Sequence, residues 1–433
     1  MRPSALWRRG ERAPSGPARG DNVNVRPISG PSTSGIRGGR GRRLQALALG
    51  ALLLTVTACG GGGAGSGGKE KADATAAQSA QSEAVVTIAP EDGAKAVDTS
   101  GVLRVGAAKG KLTEVVVEDG DGKRVEGAIS GDGATWTPST HLAAKTAYTV
   151  RAAAKDSAGR TATETSRFTT LTPKATFLGT FTPEDGTTVG VGMPFSIRFD
   201  RGITDPAAVE KAITVTTEPA VEVAGHWFGN DRLDFRPEKY WKAGTKVTVG
   251  LDLDGVEGRE GVYGKQSRTV SFTIGRDQVS VVDAREHTMK VTREGKVVRT
   301  IPITAGAPGT ATWNGQMVIS EKFKVTRMNG ETVGFGDDYD IHDVPHAMRL
   351  STSGTFIHGN YWGGDAFGNR NASHGCVGLR DVRGGWDKKT PAAWFFENSM
   401  LGDVVVVKNS KDATIAPDNG LNGWNMSWEK WKS

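Results

Sequence analysis

Cys376 lies in the stretch NASHGCVGLR, with His374 two positions before it and His358 eighteen positions upstream in TFIHGNYW. A thiol attacks a carbonyl only as thiolate, so it needs a neighbour to take its proton. Imidazole suits that task, because its unperturbed pKa of about 6.5 is close to that of a thiol. Gly375 lets the backbone turn sharply before the cysteine and aim consecutive N–H groups at one point. Such groups can receive a developing oxyanion, and losing one donor costs roughly 3–4 kcal/mol in known cases. Ser373 to Cys376 therefore has the parts of a nucleophile and an anion cradle. Two other readings compete. A lone cysteine is often a small core residue. His342, His346, His358, His374 and Cys376 are also potential metal ligands. Structural zinc favours paired spacings such as Cys-x-x-Cys, which are absent, as is a His-Glu-x-x-His helix motif. The sequence predicts no metal and no cofactor.

The weight of these readings depends on compartment. Residues 1 to 43 carry ten arginines against Glu11 and Asp21, and LQALALGALLLTV and TACGGGGAGSGG follow. A basic region, a short apolar run and small residues before a cut describe a secretion signal. The run is thirteen residues long, too short for a transmembrane helix, which needs roughly 20. VTAC, ending at Cys59, resembles a bacterial lipobox. That implies cleavage before Cys59 and a diacylglycerol on its sulfur; the alternative is a signal without lipid. The basic prefix accounts for +8 of the formal charge of +6, so the remainder carries −2. A near-neutral mature chain has no basic footprint for nucleic acid. With Cys59 lipidated, Cys376 is the one thiol left and no intrachain disulfide forms. An exported free thiol is open to oxidation, which favours a reactive role for it.

Several elements must carry and position that thiol. Residues 60 to about 84 are Gly, Ala, Ser and Gln with a few charges, a flexible linker of roughly 25–30 Å reach. Two similar segments follow. One runs from IAPEDGAKAV to TSRFTT, the other from FTPEDGTTVG to TVSFTI. Pro90 matches Pro183, Pro138 matches Pro237, and Phe168 matches Phe272. Short alternating runs such as AYTVRA and FSIRF, broken by Asp-Gly turns, predict β-sandwiches. These segments look like bacterial Ig-like modules, at 86–173 and 174–276. Their expected role is spacer or packing partner; no aromatic cluster announces carbohydrate binding.

A third unit, 277–408, reads as mostly β. Val279, Val281, Met289, Val291, Val297, Ile301 and Ile303 alternate with polar residues, and REGK supplies a hairpin turn. ATWNGQMVISEKF reads as a strand pair. One helix is expected across GGWDKKTPAAWFFENSM, with Trp394, Phe395 and Met400 on an apolar stripe. The tail, 409–433, has Trp424, Trp428 and Trp431 at helical spacing and is expected to pack on the catalytic domain. With a signal over 1–58 and a lipidated cysteine plus linker over 59–85, the fold class is mainly β. Two Ig-like sandwiches precede a mostly-β catalytic domain with a short helix and a Trp-rich extension.

HGNYWGGDAFGNRNASHGCVGL resembles the active-site motif of the L,D-transpeptidases, the YkuD-type enzymes of bacterial cell walls. Fourteen residues separate His358 from Ser373-His-Gly-Cys. The lipobox and two Ig-like modules in front resemble the actinobacterial lipoprotein members. The resemblance implies that Cys376 is the nucleophile and His358 the base, oriented by the Gly359 carbonyl. His374 and Gly375 would shape the cysteine loop, with the N–H groups of Gly375 and Cys376 as oxyanion donors. Tyr339 matches a lid tyrosine. Ser353, Gly354 and Ser373 would line the substrate pocket, and Met348 and Arg349 would sit near the lid. Three positions depart from the pattern: Gly378 replaces an Asn or Arg, leaving Arg380 to take over its contact. TWNG stands at 312–315 for Thr-Pro-x-Gly, and His346 stands where an aromatic is common.

The function so implied is a 3→3 peptidoglycan cross-linking enzyme. It would form a Cys376 thioester from a tetrapeptide stem and release D-alanine. Carbapenem-type β-lactams would acylate the same thiol. The expected location is the outer face of the cell membrane, lipid-anchored, acting in the wall. The alternatives are a non-catalytic wall-binding lipoprotein and another exported Cys–His acyl transferase or peptidase. SHGC argues against a sortase, which has a Thr-x-Thr-Cys-type strand.

Overall fold

The computed structural model describes residues 81–333 and 336–433. Cys59, the signal and most of the linker lie outside the described residues.

The first Ig-like module pairs two four-stranded sheets. Two of its long strands, Ala147–Lys155 and Thr161–Thr170, run antiparallel. Tyr148, Val150 and Ala152 point inward on every second residue and join Val105, Trp136 and Phe168 in one core. The second module repeats the plan with two four-stranded sheets and a small three-stranded one. It also holds a helix that the sequence reading omitted, Pro206–Lys211, started by the Asp205 side chain on the Ala208 N–H. Thr99 of the first module donates to the Gly255 carbonyl of the second at 2.6 Å.

The strand Arg232–Pro237 is buried on both faces. Leu233 and Phe235 enter the module core. Arg232, Asp234 and Arg236 face the other way, and the C-terminal tail covers them. Arg232 forks onto Asp234 and donates to the carbonyls of Asp418 and Gly420 at 2.9 and 2.7 Å. The Arg236 guanidinium lies over the rings of Trp424, Trp428 and Trp431. The three tryptophans therefore do cover a face, but it belongs to the second Ig-like module. The tail touches the catalytic domain on its other side, where Asn422 Oδ1 accepts from the Val318 N–H and Asn425 Oδ1 from the Gln316 N–H. Nor is the tail one helix. A 3-10 turn, Gly423–Asn425, ends at extended Met426, and Ser427 caps a new turn, Trp428–Trp431.

The catalytic domain is a nine-stranded ladder. Gly315–Val318 begins it and Glu321–Asn329 ends it, so these strands do not pair with each other as expected. Two residues separate them in sequence, so the two ends of the ladder meet and the sheet curls around its core. Lys296–Thr304 hinges the two halves, pairing with Thr288–Arg293 and, at Ile303 and Thr304, with Val377–Arg380. The hairpin at REGK forms, with Glu294 and Gly295 both at positive φ, the geometry that matches strand twist. Val297, expected to face inward, is exposed. The helix is shorter than expected, Pro391–Glu397: Thr390 caps it and Pro391 takes its first position, so nothing before Thr390 continues it. The core joins Ile301, Ile303, Ile357, Val377, Leu379 and Phe395. A second core cluster crosses between domains, uniting Val191, Met193 and Phe195 with Val318, Val404, Leu421 and Trp424.

Candidate active site

Two neighbouring strands bring the thiol and the imidazole together. Phe356–Asn360 and Val377–Arg380 run parallel, with Ile357 opposite Val377 and His358 opposite Gly378. Side chains alternate with a period of two. Cys376 immediately precedes that strand, two residues before Gly378, the partner of His358. Gly378 is closely enclosed by Thr304 and Asn360. A Cβ there would meet Thr304 Cγ2 at 2.9 Å and Asn360 Nδ2 at 3.1 Å, so no larger residue fits. Arg380 does not supply the missing contact: it donates to the Gly364 carbonyl and lies over the Phe367 ring.

His358 is buried, and its Nδ1 is 3.0 Å from the Gly359 carbonyl oxygen. That acceptor fixes the proton on Nδ1 and leaves the lone pair on Nε2. Burial holds the ring below its ordinary pKa, opposed by the Gly359 carbonyl and the Asp381 carboxylate. Trp362 stacks on the imidazole at 5.5 Å and 16°.

The Cys376 S–H donates to the Gly354 carbonyl at 3.6 Å. Burial pushes the thiol up to about 11; the Phe356 backbone and the Arg349 charge act against it. Burial thus biases both groups towards their neutral forms. Gly354 has φ +93°, and a Cβ there would come within 2.2 Å of Val333 Cγ1. Only glycine presents this carbonyl to the thiol at that turn.

Ser373 ties the cysteine loop. Its Oγ donates to the Cys376 carbonyl and accepts from the Gly375 N–H at 3.2 Å. Gly375 has φ +110°. One of the two expected oxyanion N–H groups is therefore engaged within the loop. His374 is exposed, and its ring meets that of Tyr339 at 5.1 Å. Tyr339 is half-buried; burial, then the nearness of Cys376 and Asp338, pushes its hydroxyl up to about 12. Ser353 lies one residue before Gly354, held by Asn419 and by Ser351. Met348 is fully buried in the core rather than at a lid, because its strand is covered on that face. Arg349 pairs with Glu321 and lies over the Phe356 ring.

Three contributors escaped the sequence reading: Trp362 on the imidazole, Asn419 under the Ser353 turn, and Asp381 beside Gly359. Trp362 stands within the quoted motif, so its position was a signal. Nothing local marks the other two. Among the described residues, no group of three or more His, Cys, Asp or Glu is arranged to hold a metal.

Residues 94–257 match the family model of a bacterial Ig domain, and residues 277–407 match that of the L,D-transpeptidase catalytic domain. The chain is 34% identical over 352 residues to L,D-transpeptidase 2 of Mycobacterium tuberculosis (strain CDC 1551 / Oshkosh), covering 80% of this chain and 84% of that protein. It is 31% identical over 418 residues to L,D-transpeptidase 5 of Mycobacterium tuberculosis (strain ATCC 25618 / H37Rv), covering 95% and 89%. A solved LD transpeptidase in complex with imipenem aligns at 28% identity and TM-score 0.46, over 55% of this chain and 100% of that one. The chain belongs to the L,D-transpeptidase family, and its residues 277–407 form the L,D-transpeptidase catalytic domain.

Proposed function

We propose that this transpeptidase builds 3→3 cross-links in peptidoglycan through a thioester on Cys376. The observation that carries the reading is the placement of His358 on a strand that pairs in parallel with the one Cys376 leads into, with Nδ1 of the imidazole tied to Gly359. His358 Nε2 takes the thiol proton as sulfur attacks the carbonyl between an L-centre and a D-centre of a tetrapeptide stem. The oxyanion meets the Cys376 N–H, with the Gly375 N–H joining when Ser373 Oγ releases it. The imidazolium then gives its proton to the departing D-alanine amine, leaving an acyl thioester. The side-chain amine of a second stem attacks the thioester, and His358 accepts the proton lost on amide formation. Tyr339, against the His374 ring and near the thiol, closes the donor side.

The same thiol opens the strained ring of a carbapenem-type β-lactam, with the ring nitrogen as leaving group. The test is to incubate residues 81–433 with meropenem and determine the mass. A covalent adduct that vanishes in Cys376→Ala supports the thioester route, and the disaccharide-tetrapeptide should then give a cross-linked dimer. Absence of any adduct on the folded protein would favour the wall-binding alternative.

Lipidation of Cys59 and residence on the outer face of the membrane belong to the same proposal; their support is the VTAC motif and the linker after it. Cys59→Ala should release the protein from the membrane fraction in cells.

A further inference from the structure

The strand that follows the nucleophile ends in a buried ion-pair geometry that the reaction scheme above does not use. Asp381, whose side chain is fully buried, has Oδ2 at 2.7 Å from His346 Nδ1. Its Oδ1 accepts from the Val382 N–H at 2.8 Å and the Thr390 hydroxyl at 2.9 Å. Three polar groups thus converge on one carboxylate. His346 is itself buried, at φ +51°, packed against the Phe396 ring at 5.1 Å. Gly385 lets it lie there, since a Cβ at 385 would come within 2.8 Å of His346 Cε1.

What makes this pair consequential is its seat. A Cβ on Gly359 would lie 2.1 Å from Asp381 Oδ2 and 2.8 Å from its Cγ. The carboxylate therefore rests directly on Gly359, the residue whose carbonyl orients the His358 ring. The Asp381 N–H also reaches the Asn360 carbonyl at 3.3 Å, which keeps the two strand ends together. A negative charge so close in a dry interior is weakly screened.

We propose that Asp381, anchored by His346, is a positioning residue for His358 that sets both the seat of Gly359 and the charge balance of the Cys376–His358 couple. The inference rests on the reading of His358 as the base. When the thiol proton moves to Nε2, the ring becomes cationic, and the Asp381 carboxylate stabilises that cation. Asp381 is the charged group that favours protonated His358. The elements around the pair also carry Lys322, Lys324, Asp343, Arg383, Asp387 and Glu397. Lys322 lies over the Phe396 ring at 4.3 Å, and Arg383 is neutralised by Asp343 at 2.9 Å.

The sign of the effect follows from the couple's tautomers. The reactive form is thiolate with imidazolium. Well below the His358 pKa its population rises with pH at a rate the carboxylate barely alters. Above that pKa it levels off, at a value fixed by the gap between the imidazole and thiol pKa values. Removing the charge lowers the imidazole pKa, so the plateau falls and begins at lower pH.

The test follows alkylation of Cys376 by iodoacetamide across about pH 4 to 9. Residues 81–433 are used, with mass as the readout. Asp381→Asn should lower the plateau by about tenfold and move the onset of levelling down by about one pH unit. A purely structural defect lowers the rate without moving the onset. Should Asp381→Asn fail to fold, His346→Phe with Asp381→Leu removes both polar partners together, a swap buried pairs often tolerate, and must show the same shift. A folded variant with an unshifted onset overturns the inference. His358→Ala in the same assay separates the two readings. If it leaves the profile unchanged, the base assignment itself fails. If it abolishes the plateau while Asp381→Asn matches the parent, only the present inference fails.

Discussion

Asn419 grips Ser353 from both ends of its amide: Nδ2 donates to the serine Oγ at 2.8 Å, and Oδ1 accepts the serine N–H at 3.0 Å. Oδ1 also takes the Thr352 hydroxyl at 2.8 Å. Ser353 precedes Gly354, whose carbonyl meets the thiol. A tail residue thus fixes the floor of the nucleophile. Net hydrogen bonds of this kind contribute about 1 kcal/mol each. Asn419→Ala should slow meropenem acylation of Cys376 by about tenfold and lower Tm by a few degrees. An acylation rate equal to the parent's would show that the turn holds without the amide.

Acylation should be nearly flat through neutral pH and fail on the acid side. Burial holds His358 below its ordinary value, so the base stays neutral until pH drops beneath about 6.5. The linkage has the same sign. A ring that is harder to protonate in the folded state binds fewer protons than it does unfolded, so its contribution to stability is complete above about 6.5 and declines as pH falls. A rate profile with its acid break above that value would contradict the burial argument.

Trp431 is 1% exposed, stacks on His226 at 4.9 Å and donates from Nε1 to the Ala224 carbonyl at 2.9 Å. Truncating such a side chain costs about 3–5 kcal/mol. Trp431→Ala should lower Tm clearly and loosen the tail, with acylation slowed through Asn419. Thermal unfolding identical to the parent's would mean that the tail is not part of the cooperative unit.

Asp403 lies at the seam with the second Ig-like module, where burial pushes its carboxyl up to about 7 despite the Met400 N–H and the charges of Arg276, Lys322 and Arg293. The folded state keeps a proton that the unfolded chain releases above about pH 4. Stability should therefore fall as pH rises from about 4 to about 7 and then level, by on the order of 4 kcal/mol. Asp403→Asn should remove that slope. Denaturant midpoints at pH 5 and pH 8 decide it: parallel changes in parent and variant would refute the assignment.

The candidate thiol and imidazole stood out in the sequence because spacing marked them. His358 falls on one strand, and Ser-His-Gly-Cys leads straight into the parallel strand beside it. The sandwiches were legible from period-two runs such as AYTVRA, whose Tyr148, Val150 and Ala152 do point inward. What stayed hidden joins residues far apart in sequence. Arg232 grips Asp418 across 186 positions, and neither residue announces the other. In LDFRP the charged members look solvent-facing, and only the tail laid over them makes them buried. Trp424, Trp428 and Trp431 looked like one helical face because their spacing fits; the extended Met426 that breaks it is set by what the tail must cover. His346 read as a missing aromatic, and its partner Asp381 lies 35 positions away.

Gly190 and Gly192 press against Gly402, Asp403 and Val404 so tightly that a methyl group on either would overlap them. The chemical half of the molecule is consequently no interchangeable cassette. Severing the backbone near residue 276 would nick the polymer yet leave the fragments clasped, while expressing the C-terminal piece alone would bare Val318, Val404, Leu421 and Trp424 to water. Exchanging the adjoining sandwich would mean rebuilding the tail that holds the turn beneath the sulfur.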